Sequence, residues 1–382
     1  MSERKLATIQ VIEKIDPIEG KDRIGLATMV GLGWHVIVNK EDIKVGDKVV
    51  YFEIDSILDS SNLAFEFMAK RKFRVKTLKM AGVVSQGLCI PASVFGEENS
   101  IVGKDLTDKL KVQKYDPEAV LERSAGKFND KEKHSKLVKF LLRFKWFRIL
   151  YYLGKPGVPT FPSEVSKTDE CRVQNKPCVL KMYNGRTINV SEKVDGCSST
   201  FLLKPSKSWF GKKYDYIVCS RNLQVNETGN TVYAEVSRNY DMEGKLTKLL
   251  DLAKDTFEDV KFVAIQGEIL APNVQGNKYH KNRPELYVFN IIVGTSKCER
   301  LKLGNKYVTW FCDQIGLTTV PMLPDFTING QSVDDMVELS KFKSSVYDTL
   351  AEGKVYRVTD DRGMVIDSFK VINPDFLIKY GD

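Results

Sequence analysis

Histidine is scarce in this chain of 382 residues: there are three, at positions 35, 134 and 280, too dispersed to build a metal cluster. The seven cysteines, at 89, 171, 178, 197, 219, 298 and 312, are scattered, and no C-x-x-C occurs. An odd, dispersed set argues against a disulfide framework or a zinc knuckle. Reduced thiols in an intracellular compartment, cytoplasmic or nuclear, are the expectation. The first residues, Met1-Ser2-Glu3-Arg4-Lys5, lack the apolar core of a secretory signal. No apolar run reaches the length of a membrane span; the longest, 137–153, is broken by Lys139, Arg143, Lys145 and Arg148.

What is present suits a protein of two domains, with 42% hydrophobic residues to fill their cores. Lys and Arg number 58 against 50 Asp and Glu, a net charge of +8. That excess fits an anionic partner, although net charge speaks to association and not to fold.

Residues 7–91 read as short strands punctuated by turns. The stretches 8–12, 25–30, 34–38, 49–54, 74–78 and 87–90 are rich in β-branched and aromatic residues. Many short strands with Gly-containing turns predict a closed barrel, here an OB-fold over 1–118. Its most basic part, 70–79, carries Phe73 among lysines and arginines. Such a run is either a phosphate-contacting groove with a stacking ring or a charged sheet edge that discourages pairing. A connector over 119–160 follows. Leu137, Phe140, Leu141, Phe144, Phe147 and Tyr151 recur at helical spacing, with lysine and arginine on the other faces.

From 161 to 382 strands alternate with helices. Predicted strands are 179–184 and 187–190, around the Asn184-Gly185 turn, then 200–204, 214–220, 261–270, 286–293, 355–359, 364–366 and 369–372. Leu246, Leu249, Leu250 and Ala253 mark a helix, and Ser332-Val-Asp-Asp335 a capping box opening a helix toward Leu350. Connections too short for repeated crossovers predict an α+β domain with a mainly antiparallel sheet.

The chemistry begins at Glu192-Lys193-Val194-Asp195-Gly196. A neutral lysine amine attacks phosphorus well, but a free lysine is protonated near neutrality. The site must therefore lower its pKa by burial or by neighbouring cations; Arg221, Lys370 and a bound metal are the candidates. The same charges would stabilise phosphate oxygens during transfer. Glu268 and Glu352 are hard oxygen ligands that suit Mg²⁺. Phe289, with Tyr287 and Ile291 on its strand face, reads as core before it reads as a base platform.

The collinear set Glu-Lys-Val-Asp-Gly (192–196), Ser-Arg-Asn (220–222), Gly-Glu (267–268), Tyr-Val-Phe-Asn-Ile (287–291), Glu-Gly-Lys-Val (352–355) and Ser-Phe-Lys (368–370) resembles the motifs of the covalent nucleotidyltransferases. The tract Phe161-Pro162, Lys167-Thr168-Asp169-Glu170, Arg172 and Gln174-Asn175, together with the leading barrel, resembles RNA ligase family 5. The resemblance covers nearly the whole chain and implies a fold, an OB domain before a nucleotidyltransferase domain. It implies an activity, ATP-dependent sealing of 3′-OH/5′-phosphate RNA nicks. Lys193 would take AMP from ATP, Glu192 would hold the adenine, and Phe289 would stack on it. Arg221 and Lys370 would contact phosphate. Glu268 and Glu352 would hold Mg²⁺ or Mn²⁺, with Glu268 also near the ribose, and Asp195 and Ser198 would lie close to the nucleotide. The partner would be a nicked RNA duplex, with DNA possible in one strand; no obligate protein partner is implied. The chain departs from the pattern at Ser368, where many ligases have the first lysine of Lys-x-Lys. A DNA ligase, a capping-type enzyme and a catalytically inactive RNA-binding scaffold are the competing readings. The barrel-first order disfavours the first two.

Overall fold

The computed structural model describes residues 4–115, 160–206, 213–297 and 299–381. The first unit is built from Ala7–Ile18 (β1), Lys21–Met29 (β2), His35–Asn39 (β3), Lys48–Phe52 (β4), Ser56–Ile57 (β5), Thr77–Met80 (β6), Val83–Gln86 (β7), Leu88–Pro91 (β8) and Gln113–Lys114 (β9). Its main sheet runs β3-β2-β1-β4-β8. The period-2 alternation of β1 and β4 feeds two cores. One holds Ile9, Val50, Phe52 and Phe65; the other holds Ile12, Trp34, Val49 and Tyr51.

Two details of this unit differ from expectation. Strand 74–78 starts only at Thr77, because Leu63–Arg71 before it is a 3₁₀ helix capped by the Asn62 side chain and seated through Phe65 and Met68. Phe73 packs against the barrel core and is not a free stacking ring. The boundary at 118 and the connector helix lie outside the described residues. Among the described residues no helix is long and apolar enough to cross a membrane.

The second unit has two sheets. One runs in the order Cys171–Arg172 (β10), Val365–Ile372 (β21), Gly353–Thr359 (β20), Thr187–Lys193 (β11), Met322–Thr327 (β19). The other runs Gln224–Val225 (β14), Tyr214–Cys219 (β13), Cys197–Pro205 (β12), Val260–Leu270 (β15), Glu285–Thr295 (β16), Arg300–Lys302 (β17), with Thr318–Thr319 (β18) also on β16. Pairing is antiparallel except at β10/β21 and β16/β18, as the short connections predicted.

Helices cover the outer faces. Cys178–Met182 (α1) and Val333–Glu338 (α5) back the first sheet, through Val179, Leu180 and Met336. Val232–Asn239 (α2), Met242–Thr256 (α3) and Asn305–Ile315 (α4) back the second. Leu246, Leu249, Leu250 and Ala253 form the buried stripe of α3 as their spacing predicted. The inner faces of the sheets are left to face each other across a cleft.

The expected strand 179–184 is instead α1. Its buried residues are the neighbours Val179 and Leu180, which an alternating strand would send to opposite faces. The capping box at Ser332 forms: Ser332 Oγ accepts from the Asp335 N–H at 3.1 Å, and Asp335 Oδ2 accepts from the Ser332 N–H at 2.8 Å. Its helix stops at Glu338, well short of Leu350. A last helix, Pro374–Tyr380 (α6), is capped by Asn373 and reaches the barrel through Leu377.

The tract 172–175 docks the two units. The Gly33 N–H donates to the Gln174 carbonyl at 2.8 Å. The Trp34 indole N–H donates to Asn175 Oδ1, and Asn175 Nδ2 donates to Glu53 Oε1 at 2.9 Å. Both Trp34 and Glu53 are almost fully buried. Asn175→Ala strands the buried Trp34 indole N–H, while Glu53 Oε1 keeps Arg4 at 2.7 Å, so it is expected to cost about 1–3 kcal/mol in chemical denaturation.

Candidate active site

Strand register places the candidate residues in rows. Ser191, Val355, Lys370 and Arg172 stand side by side across β11, β20, β21 and β10. One row along, Lys193 stands opposite Gly353. On the facing sheet Ser198, Glu268 and Tyr287 form a row across β12, β15 and β16. The barrel closes one side with Asp55, Arg74 and Lys114.

The Lys193 ammonium donates to Glu352 Oε2 at 2.6 Å. Burial presses its pKa down, but Glu352, Glu268 and Asp195 outweigh that and hold it above the ordinary lysine value. This is opposite to the expected lowering by cations. Arg221 and Lys370 are engaged elsewhere, so three carboxylates dominate the field at Lys193.

Two of them, Asp195 and Glu268, resist full ionisation. Burial, reinforced by Glu352, raises the Asp195 carboxyl to about 6 against the opposing Lys278 and Lys193. Burial also raises Glu268 to about 7; Lys193 opposes this and the neighbouring acids add to it. Glu268 accepts from the Gly196 N–H and from Ser198 Oγ, each at 3.0 Å. Gly196 is required by this close approach: a Cβ there would lie 2.4 Å from the Ile269 carbonyl oxygen and 3.0 Å from Glu268 Cγ. Asp195 is held by Lys278, and its N–H donates to Tyr279 Oη at 3.0 Å.

Three carboxylates facing two amines, Lys193 and Lys278, leave excess negative charge, which favours a cation. Among the described residues no three acidic, histidine or cysteine side chains are grouped tightly enough to cage a metal. Glu268 and Glu352 therefore fit an ion that keeps several waters and takes its remaining ligands from phosphate, as Mg²⁺ does.

Arg221 and Lys370 meet at one side chain, Asp169. Lys370 Nζ donates to Asp169 Oδ1 at 2.7 Å, Arg221 to Oδ2 at 2.9 Å, and Lys114 of the barrel to Oδ2 at 3.1 Å. Burial opposes ionisation of Asp169, but these cations overturn it and hold the carboxyl far below the usual range. Burial lowers Lys370 to about 8, with Asp169 opposing. Lys370 thus carries its charge below about pH 8 and loses it above. Affinity of the nucleotide-free protein for inorganic pyrophosphate is expected to fall as pH rises through that value. Lys370→Arg, which stays charged, is expected to move the fall to higher pH in a titration series.

Phe289 is not a core residue on the face of Ile291. Gln266 pairs with Asn290 but Gly267 pairs with Val288, leaving Phe289 as the extra residue of a β-bulge. The bulge switches the alternation. Val288 and Ile291 both enter the outer core, and Phe289 is turned to the cleft beside Val194 and Val320. Glu192 is also buried on the cleft. It accepts from Ser344 Oγ and from the Ser345 N–H at 3.0 Å, and burial raises its pKa. The non-helical stretch after α5 delivers those two serines, which sequence reasoning missed.

Ser368 donates to Glu170, whose other oxygen accepts from Lys302 at 2.7 Å. Across the strand pair from Ser368 stands Arg357, 2% exposed. It donates to Ser191 Oγ at 2.7 Å and to the Phe289 carbonyl at 3.3 Å. Arg357 was overlooked, although it lies only five residues beyond Glu352. The structure thus brings all nine predicted residues, Glu192, Lys193, Asp195, Ser198, Arg221, Glu268, Phe289, Glu352 and Lys370, to one cleft.

Residues 6–92 match a family model described as an OB-fold domain, and residues 186–372 one described as RNA ligase. No curated protein matches the sequence. Solved structures of Naegleria gruberi RNA ligase are similar over the full length. A lysine-to-alanine variant without ligand has a TM-score of 0.76 at 25% identity, covering 99% of each chain. The form with pyrophosphate has a TM-score of 0.75 at 26% identity, covering 100% of each chain. A lysine-to-alanine variant with ATP and manganese has a TM-score of 0.75 at 25% identity, covering 99% of each chain.

Proposed function

The chain joins an OB-fold domain at 6–92 to an RNA ligase domain at 186–372, and from that premise we propose an ATP-dependent enzyme that seals 3′-OH/5′-phosphate nicks in RNA. The observation that carries this reading is the convergence of Lys193, Glu268, Glu352, Arg221 and Lys370 on one cleft.

In the first step the Lys193 amine attacks the α-phosphorus of ATP. An N–P bond forms, the bond to the β-phosphate oxygen breaks, and pyrophosphate leaves. The ammonium must first lose its proton, and the carboxylates that keep it charged are Glu352, Glu268 and Asp195. Glu268 and Glu352 would hold a divalent cation, Mg²⁺ or Mn²⁺, whose charge would offset the carboxylates and the phosphate oxygens. Phe289 offers its ring to the adenine, and Glu192 offers acceptor oxygens to the 6-amino group. Arg221 and Lys370 offer donors to the phosphates; Asp195 and Ser198 fix Lys278 and Glu268 around them.

AMP then passes to the RNA 5′-phosphate, forming a P–O–P link and freeing Lys193. The 3′-hydroxyl attacks that 5′-phosphorus, AMP leaves, and a phosphodiester remains. In this reading residues 1–118 form the barrel domain that faces phosphate or RNA, 119–160 the connector, and 161–382 the nucleotidyltransferase domain.

The test is a labelled nicked duplex with ATP and Mg²⁺, each strand flanking the nick being RNA or DNA in turn. Sealing of the all-RNA nick is expected, and the mixed duplexes report how much DNA is tolerated. Absence of sealing together with absence of any covalent adduct would overturn the reading.

A further inference from the structure

Asp169 is shared by three cations from separate elements: Lys114 in β9, Arg221 just after β13, and Lys370 in β21. Both its oxygens are engaged, Oδ1 by Lys370 and Oδ2 by Arg221 and Lys114. Donors converging on two oxygens of one anion form the arrangement by which a phosphoryl group is held. Lys114 and Lys370 are placed by strands of the barrel and of the second unit, and Arg221 by the short turn joining β13 to β14. Asp169 instead lies in an irregular segment that spans 161–170. It can leave without breaking a strand ladder, and the cations remain.

We propose that Asp169 is an internal stand-in for the nucleotide phosphates. In the free protein it positions Lys370 and Arg221, and the incoming triphosphate displaces it and takes over the same donors. This rests on the reading that the cleft binds ATP. Three cations against one carboxylate leave the place attractive to a polyanion even while Asp169 is seated. Because Lys114 belongs to the barrel, the exchange also releases one tie between the two units.

The stand-in stabilises the free protein only, whereas a merely structural carboxylate would stabilise free and liganded protein alike. Full-length wild type and Asp169→Asn are compared in calorimetric titration with inorganic pyrophosphate and Mg²⁺, and in thermal melts with and without saturating pyrophosphate. The variant is expected to bind about tenfold tighter, the scale of one charged hydrogen bond no longer competing. It is expected to melt lower than wild type when free and at the same temperature when saturated. Unchanged or weaker binding by the variant, or equal destabilisation of both forms, overturns the proposal. Should the single variant fail to fold, Asp169→Asn/Lys114→Gln is compared with Lys114→Gln, and the same tightening is expected. Wild type that neither binds pyrophosphate nor forms an adduct with ATP removes the ATP reading, and the stand-in falls with it. Wild type that binds, with a variant that binds no tighter, removes the stand-in alone.

Discussion

Lys193→Met is expected to abolish covalent labelling by ATP, because methionine fills the same volume without a nucleophilic nitrogen. A loss of at least about 10³-fold is the scale for removing a nucleophile outright. The same variant is expected to keep sealing a nick whose 5′ end already carries AMP, since in that step the 3′-hydroxyl attacks and no bond is made to Lys193. Labelled ATP with gel detection reads the first step; a synthetic adenylylated strand reads the last. Loss of both activities in a folded variant would mean that Lys193 does more than carry AMP. Undiminished labelling would remove it as the nucleophile.

Gly353→Ala is expected to cost on the order of 3 kcal/mol and most of the adduct-forming rate. Gly353 has a φ of +155°, and a Cβ there would lie 2.1 Å from the Val371 carbonyl oxygen and 2.9 Å from Ile372 Cα. Both obstacles are backbone of the neighbouring strand, so β20 and β21 must part to admit a methyl group. The displaced residue is Glu352, the direct partner of Lys193. Denaturant unfolding reads the stability. Adduct formation, at a temperature where the variant is folded, reads the site. A variant with wild-type values in both would show that the strands yield without disturbing Glu352.

The strands that carry the site were legible because they are short runs rich in β-branched and aromatic residues whose turns carry glycine. The row from Val260 to Leu270 and the α3 stripe at Leu246, Leu249, Leu250 and Ala253 are plain in the sequence. Resemblance, not periodicity, pointed to Phe289. Regular alternation puts Phe289 with Ile291, and only the unpaired residue of a bulge separates them. A bulge is a matter of pairing with β15, so no local pattern announces it.

Asp169 was visible as part of a tract, but its three partners are drawn from positions 114, 221 and 370, and such sequence separations leave no local trace. The upward shift at Lys193 has the same origin. Cations and carboxylates were both foreseen, yet which stood nearer the amine depends on Asp169 drawing the cations away. The strand expected at 179–184 failed because the short, largely apolar stretch Cys178–Met182 after Pro177 fits one helical turn as well as a strand.

The measurement closest to the central claim is peptide mapping of the adduct formed when wild type is incubated with labelled ATP and Mg²⁺ or Mn²⁺. The account predicts AMP on Lys193, joined by an acid-labile phosphoramide bond and discharged when nicked RNA is added. Label on any other residue, or none with either metal, would contradict it.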